Sequence, residues 1–247
     1  MISNNRIKYL KSLHLKKFRD KYGQFLVEGD KIVKEAIKIK SNVREVYALN
    51  SWMSDNPNLA DQAIEVDEKE LKKISQLSTH NTVIALMDIE DGANEFKLEK
   101  NKWYVALDKV QDPGNLGTII RTLDWFGLDT LICSPETVET LNPKVIQSTM
   151  GSIFRVNVIK KDLNLTLDEA KGLSIPIYGA VLSGSNIYEH KPEKPGILIF
   201  GNESKGISPN VLECVSHEIL IPGSGNAESL NVSVSAGIAI AWAIANT

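Results

Sequence analysis

Three polar stretches carry the residue types from which an active centre could be assembled. The first is Leu107-Asp-Lys-Val-Gln-Asp-Pro-Gly-Asn-Leu-Gly-Thr-Ile-Ile-Arg121, where Pro113 and Gly114 shape a turn and Asn115 sits near a helix start. Arg121 falls among Ile119, Ile120 and Leu123, and a guanidinium in such a setting either snorkels on its stem or is held against an anion or carboxylate. The second is Gly201-Asn-Glu-Ser-Lys-Gly206, with the outer glycine spacing of a phosphate-binding loop. Ile207 stands where that loop requires lysine, which excludes a P-loop NTPase. Glu203 is then either a functional carboxylate or a turn partner of Lys205. The third lies after Pro222, where Gly223-Ser-Gly-Asn-Ala-Glu ends in Glu228 instead of the third small residue of a dinucleotide fingerprint. A helix is predicted to open near Ser229 and to carry Asn231, Ser233 and Ser235. Ser and Asn compete for backbone hydrogen bonds and suit a helix interior poorly. They act either as an N-cap at Ser229 with a small-residue packing face, or as functional polar groups.

These stretches follow apolar segments that read as strands. From Trp103 onward, Tyr104–Leu107, Thr130–Cys133, Phe154–Ile159, Ile177–Leu182, Gly196–Phe200 and Glu218–Ile221 alternate with helical segments at about 115–126, 143–150, 166–171 and 209–215 and a terminal helix. Continuous apolar strands bounded by helices predict a parallel sheet covered on both faces, with ligands beyond the carboxyl ends of the strands. The front of the chain predicts a smaller α/β unit, with helices at 6–14, 30–38 and 68–77 and strands at 25–28, 43–49, 64–66 and 82–89. Polar residues 91–101 read as its linker.

The 247 residues are 43% hydrophobic and 24% charged, as in an ordinary globular protein. Two distant cysteines and four scattered histidines show neither a disulfide framework nor metal-ligand spacing. The N-terminus lacks the apolar core of a signal peptide and no apolar run is long enough to span a membrane, so a cytoplasmic protein is expected. Net charge is −3, yet residues 1–40 hold 11 Lys and Arg against 4 Asp and Glu. Lys16, Lys17, Arg19 and Lys21, beside Phe18 and Tyr22, form either a phosphate-tracking surface or a solvated helix face.

Taken together, Asn115 with Arg121, Gly201-Asn-Glu-Ser-Lys-Gly206, and Ile221-Pro with Ser229-Leu-Asn-Val-Ser-Val-Ser-Ala236 resemble the three ordered motifs of the SpoU/TrmH family of RNA ribose 2′-O-methyltransferases, in the SPOUT superfamily. Residues 1–90 resemble that family's α/β/α substrate-binding extension, mainly through Phe25-Leu-Val-Glu-Gly-Asp30. The resemblance implies an α/β chain with an RNA substrate-binding domain at 1–93 and a trefoil-knotted methyltransferase domain at 101–247, working as a homodimer. It implies S-adenosyl-L-methionine as cofactor, held by Leu182, Gly201, Ile221 and Leu230, with no metal. Glycine at 201 suits close ligand approach to the backbone.

The family's essential arginine matches Arg121. A guanidinium stays protonated, its pKa lying above ~12, so Arg121 is expected to stabilise developing alkoxide or grip a phosphate instead of removing a proton. Asn115, Glu203, Ser229 and Asn231 would orient Arg121 and the ribose. Structured RNA is the implied substrate, ribosomal RNA over transfer RNA. The competing readings are a catalytically inactive RNA-binding or ribosome-associated protein of this fold, and a dinucleotide-dependent oxidoreductase. Asp108-Lys-Val-Gln-Asp-Pro113 lacks the glycine-rich turn that the oxidoreductase requires.

Overall fold

The computed structural model describes residues 2–39, 42–77, 81–89 and 96–246. The linker predicted over 91–101, and the domain end at 93, lie in their 91–95 portion outside the described residues. Contacts divide the chain into two compact units, Met1–Asn94 with Leu141–Phe154, and Glu95–Thr140 with Arg155–Thr247.

In the first unit, helices α1 (Asn4–Ser12) and α2 (Lys16–Tyr22) precede strand β1 (Gln24–Glu28), and α3 (Asp30–Lys38) leads to β2 (Val43–Ala48). Then come α4 (Asn50–Asp55), α5 (Pro57–Ala60), β3 (Ala63–Glu65), α6 (Glu68–Ile74) and β4 (Val83–Asp88). The sheet order is β1-β4-β2-β3, with β4 antiparallel to both neighbours and β3 parallel to β2. Because successive strand residues point to opposite faces, Phe25, Val27, Val46, Ala48, Val83 and Ala85 pack with Ile32, Val33 and Ala36 of α3. Leu26, Tyr47, Ile84 and Leu86 pack on the other face with α1 and α6.

Periodicity located α3 at its observed bounds; it did not locate α2, α4 or α5. Apolar spacing is irregular in α2, whose end is set by Gly23 at φ 61°. Residues 141–154 also belong to this unit: α8 (Pro143–Thr149) places Ile146 in the core with Leu141 and Phe154 packed against it. The strand expected from Phe154 starts later, since Ser152–Phe154 forms a 3₁₀ turn.

The second unit runs β5 (Tyr104–Leu107), α7 (Pro113–Trp125), β6 (Thr130–Cys133), β7 (Asn157–Lys160), α9 (Leu163–Gly172), β8 (Ile177–Asn186), β9 (Ile197–Phe200), α10 (Pro209–Leu212), β10 (His217–Leu220) and α11 (Val232–Ala245). Its six strands are all parallel, in the order β10-β8-β9-β5-β6-β7. Side chains of α9 and α10 close one face over Ala106, Ile132, Ile177, Ile197 and Ile199. Helix α11 packs on α7 and β9, and α7 packs on β6. Burial of β5, β6 and β9 at every position explains their unbroken apolar runs.

One irregularity shapes the site. His217 and Glu218 of β10 pair with Tyr178 and Gly179, but Ile219 and Leu220 pair with Ser185 and Asn186. Residues 180–184 of β8 are therefore displaced from the ladder, and at Gly184 a Cβ would lie 2.6 Å from the Ile219 backbone, so only glycine fits.

Candidate active site

Helix α7 begins at Pro113, not at Asn115. Asp112 is the N-cap, its carboxylate accepting from the Asn115 amide at 2.9 Å, and Pro113 and Gly114 form the first turn instead of a separate turn. This fixes Asn115 two residues into the helix, nearly buried. Its Nδ2 donates to Glu203 Oε1 at 3.0 Å, and its Oδ1 accepts from Asn231 Nδ2 at 2.9 Å.

Asn231 in turn is the N-cap of α11. Its Oδ1 accepts from the Ser233 and Val234 amides at 2.9 and 3.4 Å and from Ser233 Oγ at 2.6 Å. The helix expected to open at Ser229 thus starts three residues later, and Ser229 and Leu230 lie in the preceding loop. Ser229 and Ser233 therefore do not share a helix surface. Ser229 is exposed and lines the cavity described below.

Glu203 collects further donors: Asp112 N–H to Oε1 at 3.1 Å, Gln111 N–H to Oε2 at 3.2 Å and Asn202 Nδ2 to Oε2 at 3.3 Å. Partial burial works to raise its pKa, but the Asn115 side chain and the backbone donors outweigh that and hold the carboxyl below its ordinary value. Glu203 is therefore an ionised anchor at the α7 N-terminus, where the helix dipole also favours negative charge, and a poor acceptor for a substrate proton. It does not pair with Lys205 as the turn reading allowed; the turn is made by Asn202, whose Oδ1 accepts from the Ser204 and Lys205 amides.

That turn also explains Gly201. Asn202 and Gly206 exchange two backbone bonds, and a Cβ at 201 would lie 2.0 Å from the Gly206 carbonyl carbon. The chain folding back on itself is by itself enough to require glycine here.

Beside this network lies a cavity of about 710 Å³ walled by 180–183, 200–207, 219–221 and 228–232 with Ser235. Leu182, Gly201, Ile221 and Leu230 all line it, as do Glu203 and Asn231. The displaced segment of β8 supplies Leu182, which is 73% exposed. Large apolar side chains left exposed around a cavity of this size are suited to the hydrophobic surface of a small molecule. Reading the sequence did not single out Asn202, Asp112 or the Gln111 amide; the Asp-Pro-Gly-Asn run, an N-cap followed by proline, was the signal for Asp112.

Arg121 is not gathered into the network. It is exposed on α7, and among the described residues its guanidinium has no hydrogen bond or ion pair. In the first unit, Lys16, Lys17 and Lys21 are exposed on α2, with Lys17 over the Phe18 ring at 4.9 Å and Lys21 over Tyr22 at 5.3 Å. Lys16 pairs with Asp20 at 2.5 Å. Arg19 departs from that group. It is 3% exposed, donating to the Leu13 and His14 carbonyls at 2.8 and 2.9 Å, and so closes the end of α1 instead of facing solvent.

The fold is shared with known proteins. The SpoU rRNA Methylase family model matches residues 102–241, and an MRM3-like substrate binding domain model matches residues 4–85. The chain belongs to the SpoU rRNA methylase family and is an RNA methyltransferase. The 23S rRNA (guanosine(2553)-2′-O)-methyltransferase RlmP of Bacillus subtilis (strain 168) is 33% identical over 239 residues, spanning 96% of this chain and 95% of that one. A TrmH-family structure from Porphyromonas gingivalis superposes with a TM-score of 0.85 at 34% identity, covering 98% of both chains. An AdoMet-bound rRNA methyltransferase from Sinorhizobium meliloti superposes at 0.84 with 27% identity, covering 98% of this chain and 95% of that one.

Proposed function

We propose that this protein methylates a ribose 2′-hydroxyl in structured RNA, ribosomal in preference to transfer RNA, with S-adenosyl-L-methionine as donor. The observation that carries this reading is the joining of Asn115, Glu203 and Asn231 into one hydrogen-bonded network against the cavity. When bound, the cofactor supplies an electrophilic methyl group on a sulfonium. Leu182, Ile221 and Leu230 would hold its apolar surface, with the Gly201 turn forming the adjoining wall. Asn115 and Asn231 would present oriented amides to the ribose, with Ser229 beside them on the cavity wall. Glu203, spent on its donors, would fix the Asn115 amide and take no proton.

Arg121 would stabilise alkoxide developing on the ribose, as a fixed cation. Its separation from the network within one chain supports its service to the site of a second copy, in a homodimer. Trp125, four residues on and so on the same helix face, is 84% exposed, as an unpaired interface residue would be. The methyltransferase domain is proposed to extend over 101–247 with the family's trefoil knot, and 1–93 to bind RNA through Lys16, Lys17 and Lys21. Mapping ribose methylation in ribosomal RNA from cells with and without the gene, then restoring it with purified protein, tests the reading. An unchanged map, with RNA binding intact, would favour the inactive RNA-binding alternative.

A further inference from the structure

We infer that Lys109 is a substrate-contact residue, gripping an RNA phosphate near the ribose to be modified; this rests on the methyltransferase reading above. Lys109 holds φ at 61°, a left-handed conformation that costs residues with a Cβ and that glycine adopts freely. The backbone is pinned there from both sides. Its N–H donates to Ser134 Oγ at 2.9 Å, and its carbonyl accepts from Asn202 Nδ2 at 2.8 Å. Ser134 and Thr137 are buried, their hydroxyls 3.1 Å apart, and Thr137 donates on to the Leu107 carbonyl at 3.2 Å. Two buried hydroxyls and one side-chain amide thus hold a lysine where glycine would fit without strain, and strain maintained by its surroundings in this way points to a use for the side chain.

The side chain is exposed, and among the described residues its ammonium makes no hydrogen bond or ion pair. Lys109 follows the C-terminal end of β5, where ligands of parallel sheets bind, and stands two residues before Gln111, whose amide meets Glu203. Two anions are expected at this end of the sheet, the cofactor's carboxylate and the RNA backbone. Lys109 is not part of the cavity lining, which assigns it to the RNA.

The test uses the full-length protein and unmodified ribosomal RNA from cells lacking the gene. Lys109→Asn removes the charge with a residue that tolerates the left-handed region, Lys109→Gly does so without strain, and Lys109→Arg keeps the charge. Both neutral variants are expected to raise the KM for RNA about tenfold, with kcat within about twofold, as for loss of one charge-assisted contact. The dependence of log kcat/KM on log salt should become shallower by about 0.7 to 0.9. Lys109→Arg should restore both, and calorimetric affinity for S-adenosylmethionine should not move. Wild-type KM and salt slope in the neutral variants would overturn the inference, as would an Arg variant as impaired as Asn. A parallel loss of cofactor affinity would also overturn it, placing the charge on the cofactor or the effect in the loop. If the wild-type protein methylates no ribose, the parent reading fails first and this inference falls with it.

Discussion

Asn231 donates its side-chain amide to the Asn115 carbonyl oxygen at 2.9 Å, across 116 residues of sequence. Every bond in this relay runs one way. The α11 amides donate to Asn231 Oδ1, Asn231 to Asn115 Oδ1, and Asn115 to the Glu203 carboxylate. The positive end of one helix is thereby linked to a fixed anion at the start of another, so each bond polarises the next.

That direction makes Asn231 divisible into two roles. Asn231→Ser keeps a good N-cap and removes the donor to Asn115. The variant should melt within about 2 °C of wild type, since its cap is retained, while methyl transfer falls at least tenfold. Asn231→Ala should lose activity and also about 1 kcal/mol of stability. Equal activity of Asn231→Ser and wild type in single-turnover assays would reduce Asn231 to a cap.

Glu203 sets a pH dependence of known sign. Its folded pKa is depressed below the ordinary 4.5, so its contribution to stability is complete above the unfolded value and is lost as pH falls through the folded one. Melting of wild type and Glu203→Gln should differ at pH 6, with the gap closing below pH 4.5. It also follows that any activity limb near neutrality belongs to another group; a limb near pH 7 that vanished in Glu203→Gln would contradict this.

Arg121→Lys keeps charge and most of the stem but loses the planar fork. It should fold, bind S-adenosylmethionine, and methylate about 100-fold more slowly, the scale of one preorganised donor lost at a developing oxyanion. Mixed with Asn231→Ala subunits, it should recover part of the activity if the arginine serves the partner's site. Near-wild-type turnover by Arg121→Lys alone removes it from catalysis.

On α2, charge and burial separate neighbouring residues. Lys16→Gln, Lys17→Gln and Lys21→Gln together should flatten the salt dependence of RNA affinity by about 0.7 to 0.9 per lost contact and leave cofactor affinity alone. Arg19→Gln should lower the melting temperature instead, because buried carbonyls lose their charged donor. Salt-slope loss confined to Arg19→Gln would reverse the assignment.

On the proposed homodimer, Trp125→Asp should shift the protein from dimer to monomer in sedimentation and abolish activity with folding intact. A dimer of unchanged affinity would place the interface elsewhere.

What the sequence by itself determined is local. Unbroken apolar runs located β5, β6 and β9 as buried parallel strands, the apolar stripe of Ile32, Val33 and Ala36 located α3, and the polar loops Asp108–Asn115, Gly201–Gly206 and Pro222–Asn231 were legible as the candidate site. Tertiary structure decided the rest, because each of these features depends on a partner remote in sequence. Asn231, not Ser229, caps α11, and its free amide has Asn115 to meet only once the sheet order sets α11 beside α7. Arg19 shares its charge with Lys17 and Lys21, yet the carbonyls ending α1 bury it. Residues 141–154 look like any connection between two strands, but Ile146 finds its apolar surroundings in the first unit's core, and burial there outweighs adjacency in sequence.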